Sequence, residues 1–166
     1  MSKWIFSYNP AGKWSLESVQ AEYRELARRF AVADGFELAP RTYSNSHGTW
    51  IDSIMESVAD GVRLGDGPSV ELAVRYIEDD TWDSRSGYIR ERMARALRHV
   101  ALSDAQQARL ARNFVDRLYY RRVRQEFREY IRLFRVIGVA PYRQELERLL
   151  TAKEAYIRRA VARLLA

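Results

Sequence analysis

The stretch SGYIRERMARALRHV (residues 86–100) and the stretch AYIRRAVARLLA (residues 155–166) share one phrase. In each, Tyr-Ile-Arg is followed after three residues by Ala-Arg, and after one more by Leu. Ile89, Met93, Leu97 and Val100, with Ala96 beside them, fall on one helical stripe, as do Ile157, Val161, Leu164 and Leu165. A third segment begins in the same way, Phe127-Arg128, and continues through Ile131, Phe134 and Ile137 to Gly138. The three starts are 38 and 30 residues apart, with another amphipathic segment between each pair. One hairpin of this kind cannot bury its own apolar face, so the spacing predicts hairpins stacked on one another.

Working outward, the period stays close to 3.6 nearly everywhere. Leu16, Val19, Tyr23, Leu26, Ala27 and Phe30 mark a helix with Ser15 as N-cap and Gly35 beyond its end. A loop is expected over FELAPRTYSNSHG, from Phe36. Thr49 and Asp52 then have the spacing of a capping box ahead of Ile51, Ile54, Met55, Val58 and Val62. Pro68 suits the first turn of a helix carrying Val70, Ala73, Val74 and Ile77, and EDDTWDSRSG reads as a polar connector. Ser103 and Gln106 form a capping box for a helix with Leu110, Phe114 and Leu118. The stripe of 110–118 and that of 127–137 lie roughly 180° apart at 100° per residue, so a turn is predicted within Leu118–Val123 although no Gly or Pro marks it. Pro141 opens a short helix with Leu146, Leu149 and Leu150. Only WIFSY, Trp4 to Tyr8, reads as a strand. The expected class is all-α, about eight helices.

The phrases LLTAKEAYIRRAVARLLA and YIEDDTWDSRSGYIRERMARAL resemble the HEAT-like repeat family: paired Leu or an apolar end, a polar turn, then an aliphatic residue and Arg. The resemblance covers about residues 68–166. It implies a short right-handed α-solenoid of antiparallel hairpins, with residues 1–67 as a cap within one domain spanning residues 1–166. The copy around Phe127 departs from the pattern, having Arg132 and Phe134 where small residues are expected, and Thr151 and Lys153 replace the usual acid in the last turn. Arg90, Arg128 and Arg158 lie just off the stripe, where they are expected to brace neighbouring repeats.

Composition narrows the function classes. At 166 residues the chain buries about 68–70% of its unfolded surface without staples. It has no cysteine, which excludes disulfides and thiolate metal sites and suits a reducing compartment. No window approaches the ~20 apolar residues of a membrane span, and the N-terminal apolar run is too short for a signal peptide, so a cytoplasmic protein is expected. Residues 1–80 hold eight basic and thirteen acidic side chains, whereas residues 81–166 hold twenty and nine. That asymmetry points to an acidic partner or to head-to-tail self-association.

On a helix from about 121 to 137, Arg121, Arg124, Arg128, Arg132 and Arg135 fall within an arc of roughly 80°, spread over roughly 21 Å. Glu126 and Glu129 are expected to project elsewhere. Such a ridge suits an acidic protein or the phosphates of a nucleic acid, with Tyr119 and Tyr120 placed to stack on bases. The leading expectation is a non-enzymatic interaction module presenting this face to an acidic protein; the alternative is a nucleic-acid-binding protein. A third reading comes from the resemblance: one branch of HEAT-like proteins comprises DNA glycosylases, and Trp82, Asp83 and Arg90 have the residue types such a groove uses. No cofactor, metal or catalytic residue is expected. His47 and His99 lack partners for a metal site or triad, and GVRLGDGP lacks the strand and Lys-Ser/Thr of a P-loop.

Overall fold

The computed structural model of the chain describes residues 3–33 and 35–166. Polar caps set several helix starts by satisfying backbone donors that the first turn leaves free. Ser15 accepts from Ser18 N–H and opens α1 (Leu16–Arg29). Ser53 accepts from Met55 N–H at α2 (Ile54–Arg63), and Asp66 from Ser69 N–H at α3 (Gly67–Asp79), with Pro68 in the first turn. The connector leads to α4 (Ser86–Leu97), and the reciprocal Ser103–Gln106 capping box precedes α5 (Asp104–Tyr119). α6 (Phe127–Ile137) stops at Gly138, where φ is 107°. Pro141 lies in a 3-10 turn before α7 (Arg143–Arg148), and α8 (Ala155–Leu165) is the last helix.

The chain turns where the change of phase places it. Arg121 adopts a left-handed φ of 58° after α5. Arg122 N–H donates to the Arg117 carbonyl at 2.8 Å and Arg121 N–H to that of Leu118 at 3.3 Å. These two bonds close the helix as a Schellman motif, with Arg at the position glycine usually takes. The turn therefore carries no glycine signal.

The chain is mostly helical, as expected, and a small sheet is added before α2. β1 (Trp4–Ser7), β2 (Thr42–Ser44) and β3 (Gly48–Ile51) form a sheet in the order β1-β3-β2, with β1 parallel and β2 antiparallel to β3. The expected loop thus contains a hairpin, turned by Asn45, whose Oδ1 accepts from His47 and Gly48 N–H at 2.8 and 3.1 Å. Gly48 is required, because a Cβ there would lie 2.5 Å from the Trp4 ring. Thr49 belongs to β3 and does not cap α2; Ser53 does. Asn9 joins the sheet to α2, its Oδ1 accepting from Ile54 N–H at 2.7 Å and its Nδ2 donating to the Asp52 carbonyl at 2.9 Å.

The helices lie in two rows. α2 packs on α4, α4 on α6 and α6 on α8, while α1 packs on α3 and α3 on α5; α2–α3, α5–α6 and α7–α8 contacts join the rows. Ile89, Phe127 and Ile157 are buried near the starts of α4, α6 and α8, successive members of one row. A single cluster of buried apolar residues runs from Trp14 to Leu164. Within it, Phe114 stacks on Tyr130 at 4.8 Å and leans on Phe134 at 5.9 Å. Among the described residues no helix is long and apolar enough to cross a membrane.

Part of the charge asymmetry is satisfied inside this fold. Glu71 accepts from Arg109 at 2.9 Å, Arg75 at 2.8 Å and Gln106 at 3.0 Å. Arg92 pairs with Glu56 and with Asp60, the latter at 3.0 Å. Asp80 receives Arg117 at 2.9 Å and Arg124 at 3.3 Å. Acids of the first half thus meet arginines of the second within one chain.

Candidate functional site

The five arginines predicted as one row do not share a helix. α6 begins at Phe127, so only Arg128, Arg132 and Arg135 lie on it. Arg121 sits at the end of α5 and donates through Nε to Glu154 Oε1 at 2.7 Å. Arg124 lies in the loop, reaches Asp80 Oδ1 at 3.3 Å and covers the Trp82 ring at 4.9 Å. Glu129, expected to project away, accepts from Arg132 at 2.5 Å. The α6 row therefore spans about 10 Å. Tyr119 and Tyr120 stand apart from it. The Tyr119 hydroxyl donates to the Glu145 carbonyl at 3.3 Å, and exposed Tyr120 carries Arg122 over its ring at 5.7 Å.

α8 restores what the row loses. Phe127, Tyr130, Ile131 and Phe134 turn the apolar stripe of α6 inward, which leaves Arg128, Arg132 and Arg135, at helical spacings of four and three, on the outer face. With Arg163 of α8 they rim a depression of about 430 Å³ around Ile131. Arg128, Arg135 and Arg163 are exposed, and no carboxylate of the described residues lies within 4.0 Å of them. Clustered guanidinium groups repel one another unless an anion joins them, and their planar donors match carboxylate or phosphate oxygens two at a time. The rim holds neither a carboxylate side chain nor a nucleophile.

A second group of arginines is sealed inside. Arg90 is fully buried; its Nη2 and Nε donate to Glu126 Oε1 at 3.0 and 3.3 Å and its Nη1 to the Thr81 carbonyl at 2.6 Å. That is the bracing role expected of it. Arg158 donates to the Ala152 and Lys153 carbonyls at 2.6 and 2.7 Å, within its own hairpin. Arg117 is equally buried and was not singled out from the sequence. Its Nη1 pairs with Asp80 Oδ1 at 2.9 Å, its Nη2 donates to the Ile77 carbonyl at 2.6 Å and its Nε to Asn113 Oδ1 at 2.8 Å. One signal was available: Arg117 stands three residues after Phe114 and seven after Leu110, on the apolar stripe itself.

The connector does not bring Trp82, Asp83 and Arg90 together on a surface. Trp82 is 78% exposed, whereas Arg90 points inward. Asp83 is half-buried; burial pushes its carboxyl up, against the opposing pull of the Tyr76 hydroxyl and Arg90. Trp82, Asp83, Arg85, Tyr88 and Glu126 border a separate depression of about 440 Å³. His47 is in the β2–β3 turn and His99 just past α4, both exposed and on separate elements. Gly65, with φ 76°, closes α2, so GVRLGDGP is a helix–helix turn.

No family model matches the chain, and no curated protein or solved structure matches it.

Proposed function

We propose that the chain is a non-enzymatic helical-repeat interaction module: a short right-handed HEAT-like stack, capped by residues 1–67, that presents the α6–α8 arginine face to an acidic protein partner. The two rows of helices, with Ile89, Phe127 and Ile157 at matching places in one row, support the repeat reading. A cysteine-free chain suits a reducing compartment, and a cytoplasmic location belongs to the same proposal.

One observation carries the functional reading: Arg128, Arg135 and Arg163 line one depression together with Ile131, Arg132 and Ala166, and no side-chain carboxylate of the described residues lies within 4.0 Å of the first three. A protein acid is favoured over a nucleic acid because the row is short and no aromatic ring lines the depression. The test is retention on immobilised polyglutamate, compared with binding to unspecific duplex DNA across a salt series. Retention is expected to disappear in the Arg128→Glu, Arg135→Glu, Arg163→Glu variant with helicity unchanged. Retention equal to wild type would remove this face from consideration. Tighter binding to DNA, with affinity falling steeply with salt, would replace the protein partner by phosphates.

A further inference from the structure

The arginine face does not stop at α6. A second depression, of about 350 Å³, opens between α2 and α4 and is lined by Arg63, Arg92, Arg95, Ala96 and His99. Arg63 is exposed and has no carboxylate of the described residues within 4.0 Å. Arg95 pairs with Glu91 at 2.8 Å, yet its side chain stays 51% exposed.

A single buried carboxylate joins the two depressions. Glu129, 1% exposed, receives Arg132 of α6 at 2.5 Å on Oε1 and Arg95 of α4 at 3.9 Å on that same oxygen. Arg98, which follows α4, stands 3.3 Å from its Oε2. Arg95 lines the α2–α4 depression and Arg132 the α6–α8 depression, so the rims meet at this carboxylate. Glu129 and Glu91 set two negative charges against three guanidinium groups, which leaves the junction with one positive charge in excess. The Nε of Arg98 is buried there without a hydrogen-bond partner. The positive strip thus crosses the row α2–α4–α6–α8, perpendicular to the direction read from the sequence.

We infer that the acidic partner is an elongated segment laid across these four helices, not a short anion held on α6 and α8 alone; this rests on the function proposed above. Neighbouring helices pack about 8–10 Å apart, so three steps cover roughly 24–30 Å. An extended chain advances about 3.3–3.6 Å per residue, so a stretch of about eight residues rich in Asp or Glu reaches from Arg163 to Arg63. Neither depression is lined by Phe, Tyr or Trp, the side chains on which single-stranded bases stack. Carboxylates on a protein segment are therefore the ligand chemistry the strip fits.

The test is fluorescence anisotropy with labelled tetraglutamate, decaglutamate and an oligothymidine of matching length. Decaglutamate is expected to bind about 10-fold or more tighter than tetraglutamate, because its second half binds at high effective concentration. The Arg63→Glu, Arg95→Glu variant should lower decaglutamate affinity to the tetraglutamate level and leave the shorter peptide unaffected. Arg63→Glu alone, at an exposed residue with no carboxylate of the described residues within 4.0 Å, should move affinity the same way by less and guards against a folding defect in the double variant. Decaglutamate binding unaltered in both variants overturns the elongated path while leaving the α6–α8 reading intact. No binding of either peptide by the wild type overturns both. Tighter binding of oligothymidine than of decaglutamate overturns the choice of partner.

Discussion

Arg117 on α5 and Arg135 on α6 come from equally Arg-rich amphipathic helices, yet they have opposite fates. Arg117 is 1% exposed and makes three polar contacts, to Asp80, Ile77 and Asn113. Arg135 is exposed on the rim of a depression. What separates them is the supply of acid. The α3–α4 connector folds Asp80 over the α4–α5 side, its backbone left-handed with φ 52°, and Glu126 approaches from the start of α6. Among the described residues, no side-chain carboxylate lies within 4.0 Å of Arg128, Arg135 or Arg163 on the outer face of α6 and α8. Arginine is structural in this fold where a connector or a neighbouring helix brings a carboxylate to it, and exposed on the rim where none of the described residues does.

The largest expected effect lies on the structural side. Arg117→Met removes one partner of a buried charge pair and leaves Asp80 short of donors; urea unfolding should show a loss of about 3–5 kcal/mol. A loss below about 1 kcal/mol would place Arg117 with the surface arginines.

A smaller, pH-dependent effect is expected at Glu71. Burial pushes its carboxyl pKa up, but hydrogen bonds from Gln106, Arg75 and Arg109 outweigh burial and hold it below the ordinary carboxylate range. Above the unfolded value of about 4.3 its contribution to stability is complete, and it is lost as pH falls through the lower folded value. The stability difference between wild type and Glu71→Gln, followed by urea unfolding, should be widest near neutral pH and close in acid. A difference that stays constant through acid would contradict this.

The smallest effect belongs to the free side. Arg135→Ala should shift stability by no more than about 0.5 kcal/mol while weakening retention on polyglutamate. A larger shift in the same unfolding measurement would show that the comparison has been drawn at the wrong residue.

Much of the fold could be read from periodicity because most elements are long enough to show it. The turn after Tyr119 follows from phase alone, and the Ser103–Gln106 box from its spacing. Of the sheet only β1 was read, as the strand expected at Trp4 to Tyr8; β2, with three residues, and β3, with four, lie in the stretch expected to be a loop and at the expected helix start. The hairpin's cue was the polar Ser-Asn-Ser-His-Gly between Thr-Tyr and Thr-Trp-Ile. The site was half legible. Helical spacing places Arg128, Arg132 and Arg135 together on α6, as the structure does, but extending the helix back to residue 121 added two arginines engaged with Glu154 and Asp80. It also gave no sign of Arg163, Arg95 and Arg63, which line the two depressions of the proposed strip from other helices. No periodicity along one helix reports a strip that runs across several.

The division between the two arginine populations is tested most directly by side-chain NMR of the Arg Nε–H groups, with hydrogen exchange followed residue by residue. Arg90 and Arg117, whose Nε groups donate to Glu126 and Asn113, should give dispersed, slowly exchanging signals. Arg128, Arg135 and Arg163 should exchange rapidly at averaged shifts, and shift when decaglutamate is added. Uniformly fast exchange at all five, or protection at Arg135 and Arg163 without ligand, would contradict the account.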